Sequence, residues 1–177
     1  MEKYAIMTFP KSSRIYLDTS VLIELCLGGN GVFIDECIDF KNDIINNDLK
    51  CVVTQLAIIE AISAIKYKRT KKQNGKPPTI SEMNAVAEGI DKTIQKLGFE
   101  LQDICEFDEL LQKRACEFLI LAQPYYDDYN NLKIIGTADA MHLVLAENAG
   151  VNCLLACDKD FKHVTSNVEH KLLQEVY

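Results

Sequence analysis

The sequence lacks a long apolar run, and it has fewer basic than acidic residues. No stretch reaches the roughly 18 uncharged apolar residues that a membrane-spanning helix requires. Residues 1–10 also lack the apolar core of a secretory signal peptide. Lys and Arg number 19 against 26 Asp and Glu, which gives a net charge of −7 at pH 7. Bulk electrostatic attraction to nucleic acid is therefore excluded, and any such contact must be local or mediated by a metal ion.

Internal repeats, low-complexity tracts and linker-like segments are absent as well. The length of 177 residues and the apolar content of 48% are ordinary for a globular protein. They suffice for a continuous core without metal or disulfide staples. We therefore expect a single domain over residues 1–177.

The cysteines do not suggest a disulfide framework or a zinc site. There are seven, an odd number, scattered through apolar segments, which is typical of buried thiols in a reducing compartment. Only Cys153 and Cys157 are close in sequence, and no second Cys/His pair at zinc-finger spacing accompanies them. Together with the absent leader and membrane segments, this pattern predicts a cytoplasmic protein.

Short β-prone segments alternate with helical ones along the chain. We predict strands at residues 14–17, 50–54, 99–104 and 152–156, and helices that include residues 21–25, 33–45, 56–67, 83–97, 107–119 and 137–149. Residues 66–80 and 125–133 are predicted as loops, Ser81 as a helix cap, and Gly98 as a helix end. Strand–helix alternation is typical of a parallel sheet and predicts an α/β fold.

Acidic residues recur where a predicted strand ends or a helix begins. They are Asp18, Glu60, Asp139 and Asp158, with Asp160 two residues further on. Ligands of open parallel sheets bind beyond the carboxyl ends of the strands, so we expect these acids to converge there. Carboxylates in one cleft repel one another, and a hard divalent ion such as Mg²⁺ or Mn²⁺ removes that conflict. Such an ion polarises a phosphoryl oxygen, so the pattern favours phosphodiester hydrolysis.

Taken singly, these acids have simpler interpretations. Asp139 is at a position where an acid commonly caps a helix, and Glu60 could lie on the wet edge of its helix. His142, three residues after Asp139, is expected at the edge of the core. The acids in combination, rather than any one of them, predict the metal site.

Four sequence motifs, in this order, resemble the PIN domain family, which includes the VapC-type toxins of toxin–antitoxin pairs. They are IYLDTSVL at residues 15–22, Glu60 in a helix after a short strand, ADAMHLVLA at 138–146, and LACDKDF at 155–161. The match covers roughly residues 13–162. The resemblance implies a three-layer α/β/α sandwich with a central, mostly parallel sheet of four to five strands.

The resemblance also implies a function, a VapC-like endoribonuclease that depends on Mg²⁺ or Mn²⁺. It assigns catalysis and metal binding to Asp18, Glu60, Asp139 and Asp158. Asp160 is implied as an auxiliary acid, and Thr19 or Ser20 as the source of a hydroxyl that supports Asp18. An RNA substrate, a homodimer and a cognate antitoxin that buries the cleft are implied as partners.

The chain departs from the family pattern at one site residue and in length. Ala156 stands where a Thr is common, two residues before Asp158. Relative to a compact toxin, extra residues lie around 66–80 and 123–135. Within the second of these segments, the aromatic residues 125–129 are expected to form a plain loop or a partner surface, with base stacking as the alternative.

A basic stretch without acids is a candidate RNA contact on this acidic chain. It spans residues 66–76 with Tyr67 among them, and a charge run of this kind is also typical of a solvated loop. The predicted RNA-binding residues are Lys66, Lys68, Arg69, Lys71 and Lys72, with Lys76 nearby.

Two other functions stay open. A PIN-like module that binds RNA without turnover would keep the fold, and Ala156 is the departure that leaves this possible. An aspartyl-nucleophile phosphatase would need an Asp-x-Asp pair after the first strand, whereas Asp18 is followed by Thr19 and Ser20.

Overall fold

The computed structural model describes residues 9–27, 31–103, 108–127 and 130–177. In chain order the elements are β1 (Arg14–Leu17), α1 (Thr19–Leu27), α2 (Ile34–Asn46), β2 (Lys50–Thr54), α3 (Gln55–Lys72), α4 (Ile80–Leu97), β3 (Glu100–Gln102), α5 (Glu109–Leu121), β4 (Tyr125–Tyr126), β5 (Leu132–Lys133), α6 (Thr137–Asn148), β6 (Cys153–Ala156), a 3₁₀ helix (Asp160–His163), β7 (Glu169–Leu172) and α7 (Leu173–Val176).

Five of these strands form the central sheet, in the order β3-β2-β1-β6-β7. Each of the four neighbouring pairs is parallel. The strand order runs outward from β1 to β3 on one side and from β6 to β7 on the other. The predicted α/β class with a mostly parallel sheet is confirmed, and the sheet has five strands.

Both faces of this sheet are covered by helices, because successive strand residues point to opposite sides. Ile15, Leu17 and Val53 belong to a first core cluster, with residues of α1, α2, α3, α4 and α7. Tyr16 and Val52 belong to a second core cluster, with residues of α5, α6 and the 3₁₀ helix. The result is the three-layer arrangement that the resemblance implies.

The carboxyl ends of β1 and β6 lie side by side at the centre of the sheet. Leu17 is in register with Leu155, and the Asp18 N–H donates to the Leu155 carbonyl at 3.0 Å. Strand order reverses between these two strands, and such a switch point leaves a crevice at the carboxyl edge of an open parallel sheet. The residues after β1 and after β6 therefore meet at this edge.

The predicted loop over residues 66–80 is wrong in its first half. Helix α3 continues to Lys72, so residues 66–72 form about two helical turns, and only residues 73–79 connect α3 to α4. Asn74 and Gly75 have φ angles of 55° and 90°, which end the helix. Pro77 disfavours the helical conformation only for the residue before it, so it does not affect residues 66–72. The Lys and Arg residues of that segment are good helix formers, which explains why α3 continues through them.

The N-cap of helix α4 lies two residues before the predicted position. Thr79, rather than Ser81, is the N-cap residue: its hydroxyl accepts from the Glu82 N–H at 3.2 Å, and the Thr79 N–H donates to Glu82 Oε2 at 2.7 Å. This reciprocal pair is a capping box. At the other end Gly98 adopts a φ of 66°, as expected for a C-terminal glycine.

The second predicted loop contains regular structure, and the chain end adds more. Within residues 125–133, β4 and β5 pair antiparallel, with Tyr125 in register with Lys133. Strand β7 was not predicted from the sequence, because its residues, EHKL, are mostly polar and give no apolar strand pattern. Residues 104–107, which include Cys105, residues 1–8, and Asp128 and Tyr129 lie outside the described residues.

Two further findings concern the cysteines and the helices of the described residues. The cysteines among them are all free thiols. No helix in the described ranges is both long and apolar enough to cross a membrane.

The capping box gives a test of the α4 start. Thr79→Ala removes the hydroxyl that accepts from the Glu82 N–H, and we expect the free energy of unfolding to fall by about 1 kcal/mol. Ser81→Ala is the matched control and should leave it nearly unchanged, because no cap depends on that side chain. Urea denaturation of the two variants and the wild type measures both values; a larger loss for Ser81→Ala would contradict the assignment.

Candidate active site

Asp18 occupies the junction between β1 and α1, and it is held there by Ser20. Asp18 Oδ2 accepts from the Ser20 N–H at 2.9 Å and from the Ser20 hydroxyl at 2.5 Å. Ser20 Oγ in turn accepts from the Cys157 N–H at 2.9 Å, which joins this turn to the chain that follows β6. Asp18 is only 5% exposed. Of the two candidate hydroxyls, Ser20 is therefore the one that supports Asp18.

Asp158 and Asp160 follow β6 at the same edge. The Asp160 N–H donates to Asp158 Oδ1 at 3.4 Å, and the Tyr125 hydroxyl donates to the Asp160 carboxylate. Tyr125 belongs to the β4–β5 hairpin, so the hairpin is attached to the acids through this bond.

Asp139 lies in the first turn of α6, where its Oδ2 accepts from the Gly136 N–H at 2.7 Å. Asp139 therefore makes the contact of a helix-capping residue, as its simpler interpretation predicts. Burial raises the pKa of Asp139, the hydrogen bond from Gly136 lowers it, and the charges of Asp160 and Asp18 raise it further, with a net upward shift.

Four aspartates influence one another's ionisation through their charges, and we call them the acidic cluster: Asp18, Asp139, Asp158 and Asp160. Loss of hydration, followed by the charges of Asp18 and Asp160, raises the pKa of Asp158 to about 7, and Asp139 adds to the shift. Asp158 is exposed overall, so water weakens this effect. Its direction is nevertheless the one expected of acids that share a cleft.

Glu60, from α3, is held beside this cluster by two donors. His142 Nε2 lies 2.6 Å from Glu60 Oε2, and the Thr19 hydroxyl donates to the same oxygen at 2.8 Å. The hydrogen bond from His142 lowers the pKa of Glu60 despite its partial burial. His142 Nε2 also lies 3.8 Å from Asp18 Oδ1, so this histidine stands between the two acids.

A buried polar chain continues from His142 into the core, and the sequence analysis missed it. His142 Nδ1 lies 2.7 Å from the Tyr16 hydroxyl, which lies 3.0 Å from Thr54 Oγ1, the N-cap of α3. With the Nε2 proton donated to Glu60, Nδ1 of a neutral imidazole accepts from Tyr16. Tyr16 and Thr54 are fully buried. The available signal was Tyr16 itself, because a tyrosine in a buried strand needs a partner for its hydroxyl.

The acidic cluster offers carboxylate oxygens to a cation without the arrangement of a preformed metal site. In the part of the chain that the structure describes, no group of three or more His, Cys, Asp or Glu side chains has the arrangement of a metal site. Mg²⁺ keeps several water ligands and is commonly bound through only one or two carboxylates. Loss of hydration and, after it, the charges of neighbouring acids raise the pKa values of Asp139 and Asp158, and a bound cation would oppose both effects. The donors are carboxylate oxygens, the chemistry that Mg²⁺ and Mn²⁺ prefer.

The basic residues of α3 lie away from the cavity that adjoins the acids. Lys68, Arg69 and Lys72 line a cavity of about 330 Å³ between α1, α3 and α4, together with apolar side chains such as Ile65 and Val86. No member of the acidic cluster lines that cavity. RNA binding by Lys66, Lys68, Arg69, Lys71 and Lys72 stays a prediction.

The comparisons with known proteins agree with this architecture. A family model described as the PIN domain matches residues 15–167. No curated protein matches the chain. Two solved structures share its fold at low sequence identity. VapC20 from Mycobacterium tuberculosis, described as a sarcin–ricin loop cleaving toxin, is 13% identical, with a TM-score of 0.53 and coverage of 84% of this chain and 92% of that chain. VapBC2 from Rickettsia felis, bound to a DNA fragment from their promoter, is 14% identical, with a TM-score of 0.56 and coverage of 90% and 98%.

The buried chain predicts a cost for removing one hydroxyl. Tyr16→Phe leaves His142 Nδ1 without its hydrogen-bond partner, and we expect the free energy of unfolding to fall by about 1–3 kcal/mol. Tyr126→Phe removes a hydroxyl from a ring that is 66% exposed, and should change it by less than about 0.5 kcal/mol. Equal effects in urea denaturation would contradict the buried contact.

The raised pKa of Asp158 predicts a pH trend in metal-free protein. The carboxyl ionises near pH 4 in the unfolded chain, as reference values of roughly 3.9 indicate, and near pH 7 in the folded one. The fold therefore favours the neutral form, and this contribution is complete below about pH 4 and lost as the pH rises through 7. With EDTA present, the stability of the wild type relative to Asp158→Asn should fall over that interval. Asp91→Asn, on the exposed side of α4, controls for loss of a surface charge, and a rising trend against Asp158→Asn would refute the clustering.

Proposed function

Because this chain belongs to the PIN domain family, we propose that it is a metal-dependent endoribonuclease, a toxin of the VapC type. The observation that carries the proposal is the acidic cluster at the switch point between β1 and β6. The fold likeness to VapC20 and VapBC2 supports the same function. Two of the four aspartates have raised pKa values, which is typical of acids assembled for function rather than dispersed for solubility.

We assign the binding of Mg²⁺ or Mn²⁺ to Asp18, Glu60, Asp139 and Asp158, with Asp160 as the auxiliary acid. When bound, such an ion supplies Lewis-acid polarisation of the phosphodiester and favours deprotonation of a water. No serine, cysteine or histidine nucleophile is required for this chemistry.

The protein's own residues hold the acids in position. Ser20 fixes one oxygen of Asp18, and the Gly136 N–H fixes one oxygen of Asp139. His142 and Thr19 keep Glu60 ionised and oriented through its Oε2. Positions fixed in advance lower the cost of ordering the site when substrate arrives.

We also propose partners beyond the substrate. A cognate antitoxin and a homodimer are expected for a VapC-type protein, and the VapBC2 likeness supports the former. The basic face of α3, residues 66–72, is proposed as a second contact for RNA phosphates, at a distance from the acidic cluster.

The departure at Ala156 leaves the acidic cluster complete. Ala156 is 1% exposed and packs in the second core cluster with Leu154 and Phe161. The missing hydroxyl is thus replaced by an apolar contact at the end of β6. The activity of the protein, and not its fold, separates a nuclease from an inert RNA-binding module.

Cleavage of RNA is the direct test of the nuclease. Purified protein is incubated with total RNA in Mn²⁺ or in EDTA, and new 5′ ends are mapped by sequencing. We expect ends at a few sites, lost in EDTA and reduced by at least about 100-fold in Asp139→Asn, since even outer-shell changes at metal sites cost 10- to 100-fold. Asp18→Asn should behave alike, and Asp91→Asn should cleave normally.

RNA binding, measured by fluorescence anisotropy on the same proteins, separates the alternatives. Cleavage by Asp139→Asn at the wild-type rate would refute the site assignment. RNA binding by the wild type without any new ends in Mn²⁺ would favour the inert module.

A further inference from the structure

A second cavity, of about 410 Å³, opens beside the acidic cluster on the side of Asp158 and Asp160. Its other walls come from the β4–β5 hairpin, from His163 in the 3₁₀ helix and from Gln174 in α7. This volume lies within the range of cavities that bind small organic molecules.

Aromatic rings form the most distinctive part of this cavity. Tyr125 and His163 are stacked, with ring centroids 3.8 Å apart and planes 6° from parallel. The Tyr125 hydroxyl donates to the Asp160 carboxylate, so the stack is tied to the acids. Tyr126, the next residue, exposes 66% of its surface although its ring is large. A flat group that enters the cavity can extend an existing stack beside the acids.

Polar groups of the cavity can also bind a planar ligand that carries an N–H group. The Gln174 amide N–H donates to the Cys157 carbonyl at 3.2 Å, and its Oε1 is buried without a hydrogen-bond partner among the described residues. A ligand N–H that reached this oxygen would satisfy it, and RNA bases carry such groups on their pairing edges. Lys133 and Lys159 also line the cavity and supply positive charge near it.

We propose that this cavity binds one unpaired nucleobase of the RNA, next to the phosphate that is cleaved. The base stacks on the Tyr125–His163 pair and contacts the ring of Tyr126, and Lys133 contacts the adjoining backbone. This proposal rests on the proposed nuclease function and adds a base-binding site to it. The base beside the cut must leave its stack, because neighbouring bases cover the faces of a stacked base and pairing occupies its edge.

Binding of short RNA probes tests the base pocket apart from catalysis. An adenosine decamer and a decamer of the same backbone without bases are titrated into full-length protein, with Ca²⁺ replacing Mg²⁺ and probe integrity checked on gels. We expect the wild type to prefer the adenosine decamer, and His163→Ala to weaken its binding by about tenfold, within the range for loss of one base–aromatic stack. Binding of the baseless decamer should not change.

Two conservative variants keep the interpretation specific to stacking. His163→Phe and Tyr126→Phe retain a ring and should bind the adenosine decamer like the wild type, whereas Tyr126→Ala should not. Both positions are exposed, so the variants are expected to fold, and circular dichroism confirms this.

Distinct outcomes separate this proposal from the function on which it rests. If His163→Ala weakens both decamers equally, the residue contacts the backbone and the base pocket is refuted. If the wild type binds both decamers equally, the pocket is refuted as well, whatever the result of 5′-end mapping. New RNA ends with no preference for the adenosine decamer would leave the nuclease standing and overturn only the pocket.

Discussion

The parallel pairing of β1 with β6 is the constraint on which the rest of the site depends. Residues 18 and 158 are far apart in the sequence, yet the register of Leu17 with Leu155 brings their strand ends together. A shift of one residue would turn Asp18 toward the wrong face, because side chains alternate along a strand. The buried residues of both core clusters hold that register, so the packing that stabilises the sheet also sets the positions of the acids.

Gathering carboxylates at one edge has an electrostatic cost, and local hydrogen bonds offset part of it. Asp18 accepts from Ser20 at the start of α1, and Asp139 accepts from Gly136 at the start of α6. Both acids thus lie at helix N-termini, where partial positive charge favours an anion. Capping and metal binding are therefore compatible roles for one carboxylate, since a cap occupies only one of its oxygens.

Glu60 and the aromatic cavity show how other elements adjust this edge. The chain from Thr54 through Tyr16 and His142 reaches Glu60 from inside the core, so the orientation of that acid depends on buried groups. On the opposite flank, Tyr125 ties the β4–β5 hairpin to Asp160. The acids are thereby joined both to the core and to the aromatic cavity that we propose as a base site.

The sequence by itself determined the α/β class, four of the five sheet strands and the acids at their ends, because strand periodicity, helix caps and charge are local properties. It placed the cap of α4 two residues late, ended α3 too early and missed β7, where polar edge residues carry no apolar signal. Only the tertiary structure decided that Ser20 supports Asp18, that His142 and Thr19 hold Glu60, and that the basic turns of α3 line a separate cavity. The contacts of Glu60 with Thr19 and His142 span 41 and 82 positions of the chain, and Ser20 is fixed by the Cys157 N–H, 137 positions away. Such separations follow from sheet order and helix packing rather than from any local pattern.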